Sequence, residues 1–476
     1  MSIRTPEAER ESIIEDIVRL LERHKVLEEL ARRQVAGNRQ VIEDLQHRQN
    51  VAEVQRRVRH LHPADLAFVL ESLPRTDRLT VWSDIDDAHA ADALVELDES
   101  VRNGLLGATP PPRQIAILTH LDVDDLAWLA GAVSPDVLEQ VARSLDDLDR
   151  TLLRQTAGYA EDSVGHLMSH EVVAVQESFT AADVIAYLQQ QSTLPPHANP
   201  LFVVDRRNVL RGALGLQTLL LAPPTASVAA LMDPHVRSFA PGDPATLAAK
   251  AFDRYNLVSA PVTSDRGKLV GRVTVDAIVD FIQSEADRDA LTVAGLRGAE
   301  DLFAPVWSST RNRSPWLFVN LVTAFVATRF IGLFESTISG MVALATLMPI
   351  VASVGGNTGN QTVALMIRGL AFDQINNSNL RRVLYKELVV SLLNGALWGG
   401  LVGLAALFLY GRIRLGIVLA AAVVLNLLIG AVVGVAVPIV LQRLGRDPAQ
   451  GSSVLLTFVT DSMGFFLFLG LARLLL

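Results

Sequence analysis

Cysteine is absent from all 476 residues, which excludes disulfides, thiol nucleophiles and thiolate metal sites. Positive charge is scarce: 42 Lys and Arg stand against 51 Asp and Glu, a formal net charge of −9. A nucleic-acid partner, which needs a basic footprint, is therefore not expected. The surplus acids are either solvated surface or a means of attracting cations. Catalytic signatures are missing as well: the chain has no G-x-x-x-x-G-K-[ST] loop, no H-E-x-x-H and no G-x-S-x-G, so an enzyme is not expected. The opening stretch MSIRTPEAERESIIED lacks an apolar core, so no cleavable signal peptide is expected and the N-terminal two-thirds should stay in the cytosol. The ten histidines are scattered. His166 and His170 stand at helical spacing near an expected strand, and surface placement is the reading taken.

Charge itself runs out along the chain. The average of 20% charged and 50% hydrophobic residues conceals dense charge up to about residue 313 and almost none after Ser314. A bilayer core needs roughly 20 apolar residues per helix, and candidate spans fall at 315–335, 339–370, 384–410, 415–441 and 452–476. Five spans put the two ends on opposite sides. Arg311, Arg313, Arg368, Arg381, Arg382, Lys386, Arg443 and Arg446 gather on one side, against Arg412, Arg414 and Arg473 on the other. That bias places the N-terminus inside and the C-terminus outside.

The second span contains GGNTGNQT at 355–362, an interruption that lipid cannot hydrogen-bond. Polar backbone at membrane depth is tolerated only against protein or a water-filled cavity. Gly355 and Gly359 also form a GxxxG pair, which by itself signals tight helix packing. Packing does not need Asn357, Asn360, Gln361 and Thr362, however, and a permeation lining is the favoured reading. The last span carries one ionisable residue in its apolar interior, Asp461, and such residues mark ion or substrate paths. Thr457 and Ser453 lie four and eight residues earlier on the same helical face. A hydrogen bond to a neighbouring helix is the structural alternative for Asp461; without a Lys or Arg placed to neutralise it, a bound cation is the simpler counter-charge. All candidate ligands are hard oxygens, which suits magnesium, calcium or manganese. Magnesium is usually held with several of its waters, so one carboxylate per chain suits a hydrated ion, and a homodimer pairing two Asp461 residues is expected.

An internal repeat appears between about 164 and 283. VGHLMSHEVVAVQESFTAADVIAYLQ (164–189) parallels VAALMDPHVRSFAPGDPATLAAKAFD (228–253), and LFVVDRRNVLRGALGLQTLL (201–220) parallels APVTSDRGKLVGRVTVDAIV (260–279). Each copy reads helix, strand, Asp-led turn, strand, helix. Before it, LHPADLAFVLESL and LDVDDLAWLAGAV exemplify Leu-rich short helices.

PIVASVGGNTGNQT at 349–362, RRVLYKE at 381–387 and DPA…TDSMG at 447–464 resemble the MgtE family of magnesium channels, and the repeat resembles a paired CBS module. The resemblance extends over nearly the whole chain. It implies a multidomain membrane protein: a charged helix over 1–56, an all-α superhelical N-domain over 57–155, α/β paired CBS domains over 156–283, a connecting plug helix over 284–313 and a five-helix transmembrane domain over 314–476. By position, Asp461 resembles the family's pore carboxylate for hydrated Mg²⁺, and Gly356 and Thr457 resemble positions whose carbonyls help hold the ion. Ser353, Thr457 and Ser453 stand where glycine, alanine and asparagine are common. The pore set is therefore Asp461, Thr457, Ser453, Gly356, Ser353 and Asn357.

The resemblance further implies uptake across the inner (plasma) membrane, in contact with lipid, down the electrochemical gradient. It implies cytosolic Mg²⁺ bridging acids between domains to hold the pore closed, and ATP as a candidate ligand of the CBS pair, whose alternative is a purely dimerising role. Candidate bridging acids are Asp122, Asp124, Asp125, Asp276, Asp280, Glu285, Asp287 and Asp289. Pro244, Asn256, Ala277 and Arg288 occupy places where the family often has acids, so weaker inhibition by internal Mg²⁺, or a different ligand for it, is expected. A proton- or sodium-coupled divalent-cation carrier using Asp461 is the alternative function, and a membrane-anchored nucleotide receptor a third.

Overall fold

The computed structural model describes Arg19 and residues 58–293, 295–296, 300–371, 374–376, 378–448 and 451–476. The charged helix expected over 1–56 lies outside the described residues, Arg19 apart. The chain divides into two compact units, Met1–Glu285 with Asp301–Phe303, and Ala286–Glu300 with Ala304–Leu476.

The first unit opens with short helices: Pro63–Ser72 (α1), Arg75–Asp84 (α2), Asp87–Glu96 (α3), Glu99–Ala108 (α4), Pro111–Leu118 (α5), Val123–Trp128 (α6), Pro135–Ser144 (α7) and Asp147–Thr156 (α8). The sequence starts them sharply. Pro stands in the first turn of α1, α5 and α7, where its missing N–H costs nothing. Asp86, Asp122 and Asp146 cap α3, α6 and α8 by accepting from the amides of His89, Asp125 and Asp149, each cap contributing about 1 kcal/mol. Leu66, Leu70, Leu94, Leu105, Ile117 and Leu126 fill a single core. Arg78 is buried with them; its guanidinium donates to the carbonyls of Leu70 and Leu73 and forms a bidentate pair with Asp301 at 2.5 and 3.1 Å.

The repeat folds as two interlocked α/β copies. The first comprises Val164–Leu167 (α9), Ala174–Gln176 (β1), Ala181–Gln189 (α10), Leu201–Val204 (β2), Leu210–Leu214 (β3) and Leu216–Leu221 (α11). The second comprises Val228–Leu231 (α12), Ala245–Tyr255 (α13), Ser259–Thr263 (β4), Leu269–Thr274 (β5) and Val275–Val293 (α14). β1 runs parallel to β2, and β2 antiparallel to β3. In the second copy β4 and β5 pair antiparallel, with Phe239 bridging Val262 in parallel in place of a first strand. Opening helices are exchanged: Val164 of α9 packs in the second copy's core and Val228 of α12 in the first's. Arg272 ties the copies by donating to the carbonyls of Glu171, His197 and Pro196. Neither copy closes its core alone.

The connector expected to begin at residue 284 is the continuation of α14, and the division between units falls within that helix. The second unit continues with Val306–Gly332 (α15), Glu335–Gly340 (α16), Ala343–Ala371 (α17), Leu380–Asn394 (α18), Gly400–Tyr410 (α19), Ile413–Arg443 (α20) and Ser452–Leu475 (α21). A π-helical turn at Gly395–Gly399 joins α18 to α19. Among the described residues, four helices are long and apolar enough to cross a membrane: α15, the joined α18–α19, α20 and α21. The fifth expected span, α17, is 29 residues long, and its polar centre sets it apart from those four. It is one continuous helix, so the expected interruption is chemical and its backbone stays hydrogen-bonded along the helix. α20 is central, with α17, α18, α19 and α21 packed around it.

Candidate metal-ion site

Glycine decides how α17 meets its neighbours. The polar patch, expected to face an ion path as a whole, is divided by the structure. Gly355 and Gly359 are buried, and their carbonyl oxygens face α20: a Cβ added at Gly430 would come 2.9 Å from the Gly355 oxygen, and one at Gly434 2.9 Å from the Gly359 oxygen. These glycines form a packing seam, the role a GxxxG pair performs when polar neighbours are set aside. An added Cβ at Gly359 would also strike Leu456 of α21 at 2.6 Å. Gly356 is buried too and faces α21, where its added Cβ would sit 3.7 Å from Thr460 Oγ1.

The rest of the patch is mixed: Asn357 and Gln361 are exposed, Thr358 and Asn360 are half-buried, and Thr362 is buried. Ser353, Asn357 and Gln361 recur every four residues and form an open polar stripe on α17. α17 and α21 run antiparallel: Gly356 lies beside Thr460, Gly359 beside Leu456, and Asn360 Oδ1 accepts from Ser453 Oγ at 3.0 Å. Ser353 and Asn357 consequently fall at the level of Asp461 and Thr457. Asp461 is half-buried, with no hydrogen bond or ion pair among the described residues; the structural hydrogen bond considered for it is not formed. Thr457 is exposed, with its hydroxyl turned back to the Ser453 carbonyl at 2.8 Å. The Thr457 carbonyl accepts from Thr460 Oγ1 at 3.2 Å. The arrangement offers one carboxyl group, hydroxyls and exposed amides on adjacent helices, a hard-oxygen lining that suits a cation keeping part of its water shell.

Sequence reading missed Glu387. It lies beside Lys386, Nζ to Oε1 3.5 Å, and so reads as an interfacial charge. In the structure it is only 7% exposed, and it accepts from Thr362 Oγ1 of α17 at 3.1 Å.

The acids of the first unit separate by role. Asp122 caps α6. Asp124 accepts from the His170 amide at 2.8 Å and meets its Nδ1 at 2.5 Å, which corrects the surface placement expected for His170. His166, expected on the surface, is partly buried within α9. Asp276 pairs with His197 Nε2 at 2.8 Å. Asp125 is the perturbed group: burial first, then the charges of Asp122, Asp124, Asp92 and Glu96, push its carboxyl up to about 7. Asp280 is raised by partial burial, then by Glu96 and Asp276. Glu96 acts on both, so Asp125, Glu96 and Asp280 form one acidic patch. Asp92 and Glu96 were missed although they stand one turn apart on α3.

In the second unit Asp289 is raised by partial loss of hydration, then by Asp447, with Arg288 opposing. Asp287 is exposed and Glu285 half-exposed. Among the described residues, no three His, Asp or Glu side chains converge as a metal-holding group.

Comparison with known proteins agrees along the chain. Residues 348–471 match the MgtE family, described as a divalent cation transporter; residues 61–162 match the MgtE intracellular N domain and residues 228–284 a CBS domain. A magnesium transporter MgtE of Thermus thermophilus is 33% identical over 424 residues, covering 87% of this chain and 93% of that protein. One from Bacillus subtilis is 28% identical over 412 residues, 87% of this chain and 91% of that protein. A crystal structure of the cytosolic domain of the Mg²⁺ channel MgtE in complex with ATP covers 50% of this chain at 30% identity, with a TM-score of 0.44.

Proposed function

Because the chain belongs to the MgtE family, we propose that it conducts Mg²⁺ through a path walled by α17 and α21, with Asp461 as the recognising carboxylate. The observation that carries this reading is Asp461 itself: a half-exposed acid, unpartnered among the described residues, inside an apolar helix and level with the stripe of Ser353 and Asn357. One carboxylate is too little charge for a divalent ion, so the path runs between the two copies of a homodimer, each supplying Asp461, Thr457, Ser453 and Gly356. The first unit lies in the cytoplasm, and the C-terminus outside the plasma membrane.

Voltage suffices as the driving force. Moving one charge through 100 mV yields about 2.3 kcal/mol, so a divalent ion gains about 4.6 kcal/mol, or more than three decades of accumulation. An open path must therefore be stopped, and the Asp125–Glu96–Asp280 patch supplies a sensor: a hydrated divalent cation there relieves repulsion among acids carried by three helices, α6, α3 and α14. Asp289 and Asp447 form a second like-charged pair in the other unit. Adenine-nucleotide binding at the CBS pair rests on the sequence repeat alone, and no ligand residue is assigned to it.

A proton- or sodium-coupled carrier is the second reading, favoured by Glu387 as another buried carboxylate in the apolar unit. Flux into proteoliposomes separates the two. A channel takes up Mg²⁺ under an imposed negative potential with no co-ion gradient, and Asp461→Ala abolishes the uptake. Uptake that requires a proton or sodium gradient sinks the channel reading.

A further inference from the structure

Asn426 is a carboxamide in the middle of α20, the most apolar and most enclosed of the membrane-length helices among the described residues. It is 0% exposed. Its Nδ2 donates to the Val351 carbonyl of α17 at 2.9 Å, while its Oδ1 is buried with no partner among the described residues. An unsatisfied buried acceptor is destabilising, and a leucine would leave no acceptor unpaired there. Native chains keep such groups for a reason.

The reason lies in what the carboxamide touches. A Cβ added at Gly355 of α17 would come 2.1 Å from Asn426 Nδ2, and one at Gly464 of α21 2.8 Å from the same atom. Both helices have given up a side chain to seat this one amide. Gly355 directly precedes Gly356, and Gly464 lies three residues beyond Asp461. Asn426 is therefore the point at which the helix bearing the polar stripe and the helix bearing the acid rest on the same third helix. Gly430 and Gly434, one and two turns further along α20, continue the seam on the α17 side only.

We infer that Asn426 is a positioning residue for the ion path, fixing α17 against α21 so that Asp461 stands level with Ser353 and Asn357. Its consequence for ion handling rests on the transport reading above; its structural part does not. The seat is specific in shape. A larger side chain drives α17 and α21 apart, and a shorter one releases the Val351 carbonyl.

The absence of native cysteine makes a clean test available. In the full-length chain, Gly356→Cys with Thr460→Cys places two thiols where an added Cβ lies 3.7 Å from the Oγ1 it faces, within disulfide reach. Asn426→Leu in that background is expected to slow oxidative cross-linking by roughly fivefold or more, the worth of one lost buried hydrogen bond. Asn426→Ser, which leaves room for water and so spares the fold, is expected to do the same to a smaller extent. In the otherwise native chain each substitution should raise the apparent KM for Mg²⁺ more than it lowers maximal flux per folded protein, whereas a merely structural role scales maximal flux and leaves KM alone. Cross-linking at the parental rate in both variants, or flux reduced with KM unchanged, overturns the inference. Should flux prove independent of Asp461, the transport reading falls while the cross-linking rates still decide the placement.

Discussion

At Asp461 the chain keeps a charge that its helix would be better without, since a carboxylate at bilayer depth costs roughly 2.5–3.5 kcal/mol on insertion scales. No described residue offsets it, and on the reading proposed above the transported cation supplies the compensation. A divalent cation about 5 Å away gains roughly 1.7 kcal/mol even at the dielectric constant of water, and more in a confined path. Asp461→Asn, which keeps the shape and removes the charge, should therefore weaken apparent Mg²⁺ affinity at least about tenfold, read as KM in liposome flux, while detergent-purified protein elutes and melts like the parent. An unchanged KM would move the recognition site elsewhere. Asp461 was legible because a lone charge in an apolar run has no other pattern to belong to. Glu387 was not, because adjacency to Lys386 at the head of a helix mimics an interfacial pair; only the approach of Thr362 from α17 shows it to be buried. Asn426 escaped for a similar reason, as one amide within a 31-residue helix whose neighbours are fixed by tertiary packing.

Among elements, α17 shows how one stretch serves two ends. GGNTGNQT pointed to something unusual, and its composition was readable. Its division was not, because at 3.6 residues per turn the packing glycines and the exposed amides interleave in sequence and separate only around the helix. Gly355 and Gly359 belong to the seam with α20, whereas Ser353, Asn357 and Gln361 belong to the open side. The two faces should respond differently to substitution. Gly430→Val forces a side chain against the Gly355 carbonyl and should cost about 1–3 kcal/mol by overpacking, seen as a lower melting temperature and poor recovery of folded protein. Asn357→Ala removes an exposed amide and should leave melting unchanged while altering the Mg²⁺ to Ca²⁺ flux ratio. Equal melting temperatures for Gly430→Val and the parent would contradict the seam.

For the whole molecule, the paired CBS copies and the short helices before them were foreseen from repeats and Leu spacing, but how their acids are shared was not. Asp122 and Asp124, which look like metal ligands in LDVDDL, are consumed by a helix cap and by His170. Asp125 is left among like charges that reach it from α3, a helix some thirty residues earlier in the chain. A carboxyl held at about 7 in the folded chain, against about 4 when unfolded, binds its proton more tightly in the folded form. Stability is then greatest below the unfolded value and is lost progressively as pH rises through the folded one. After discounting for water around a half-exposed group, the loss is on the order of 1–2 kcal/mol between about pH 5 and pH 8. A divalent cation substitutes for the missing proton, so Mg²⁺ should raise the melting temperature of the cytosolic transition at pH 8 and hardly at all at pH 5. Asp125→Asn should flatten both dependences together. With acids absent at Pro244, Asn256, Ala277 and Arg288, this patch would carry much of the response to internal Mg²⁺, and half-protection of the connector from protease should need more Mg²⁺ than ordinary cytosolic levels supply. Melting that is insensitive to Mg²⁺ at pH 8, or protection complete at cytosolic levels, would assign the closing of the pore to other groups.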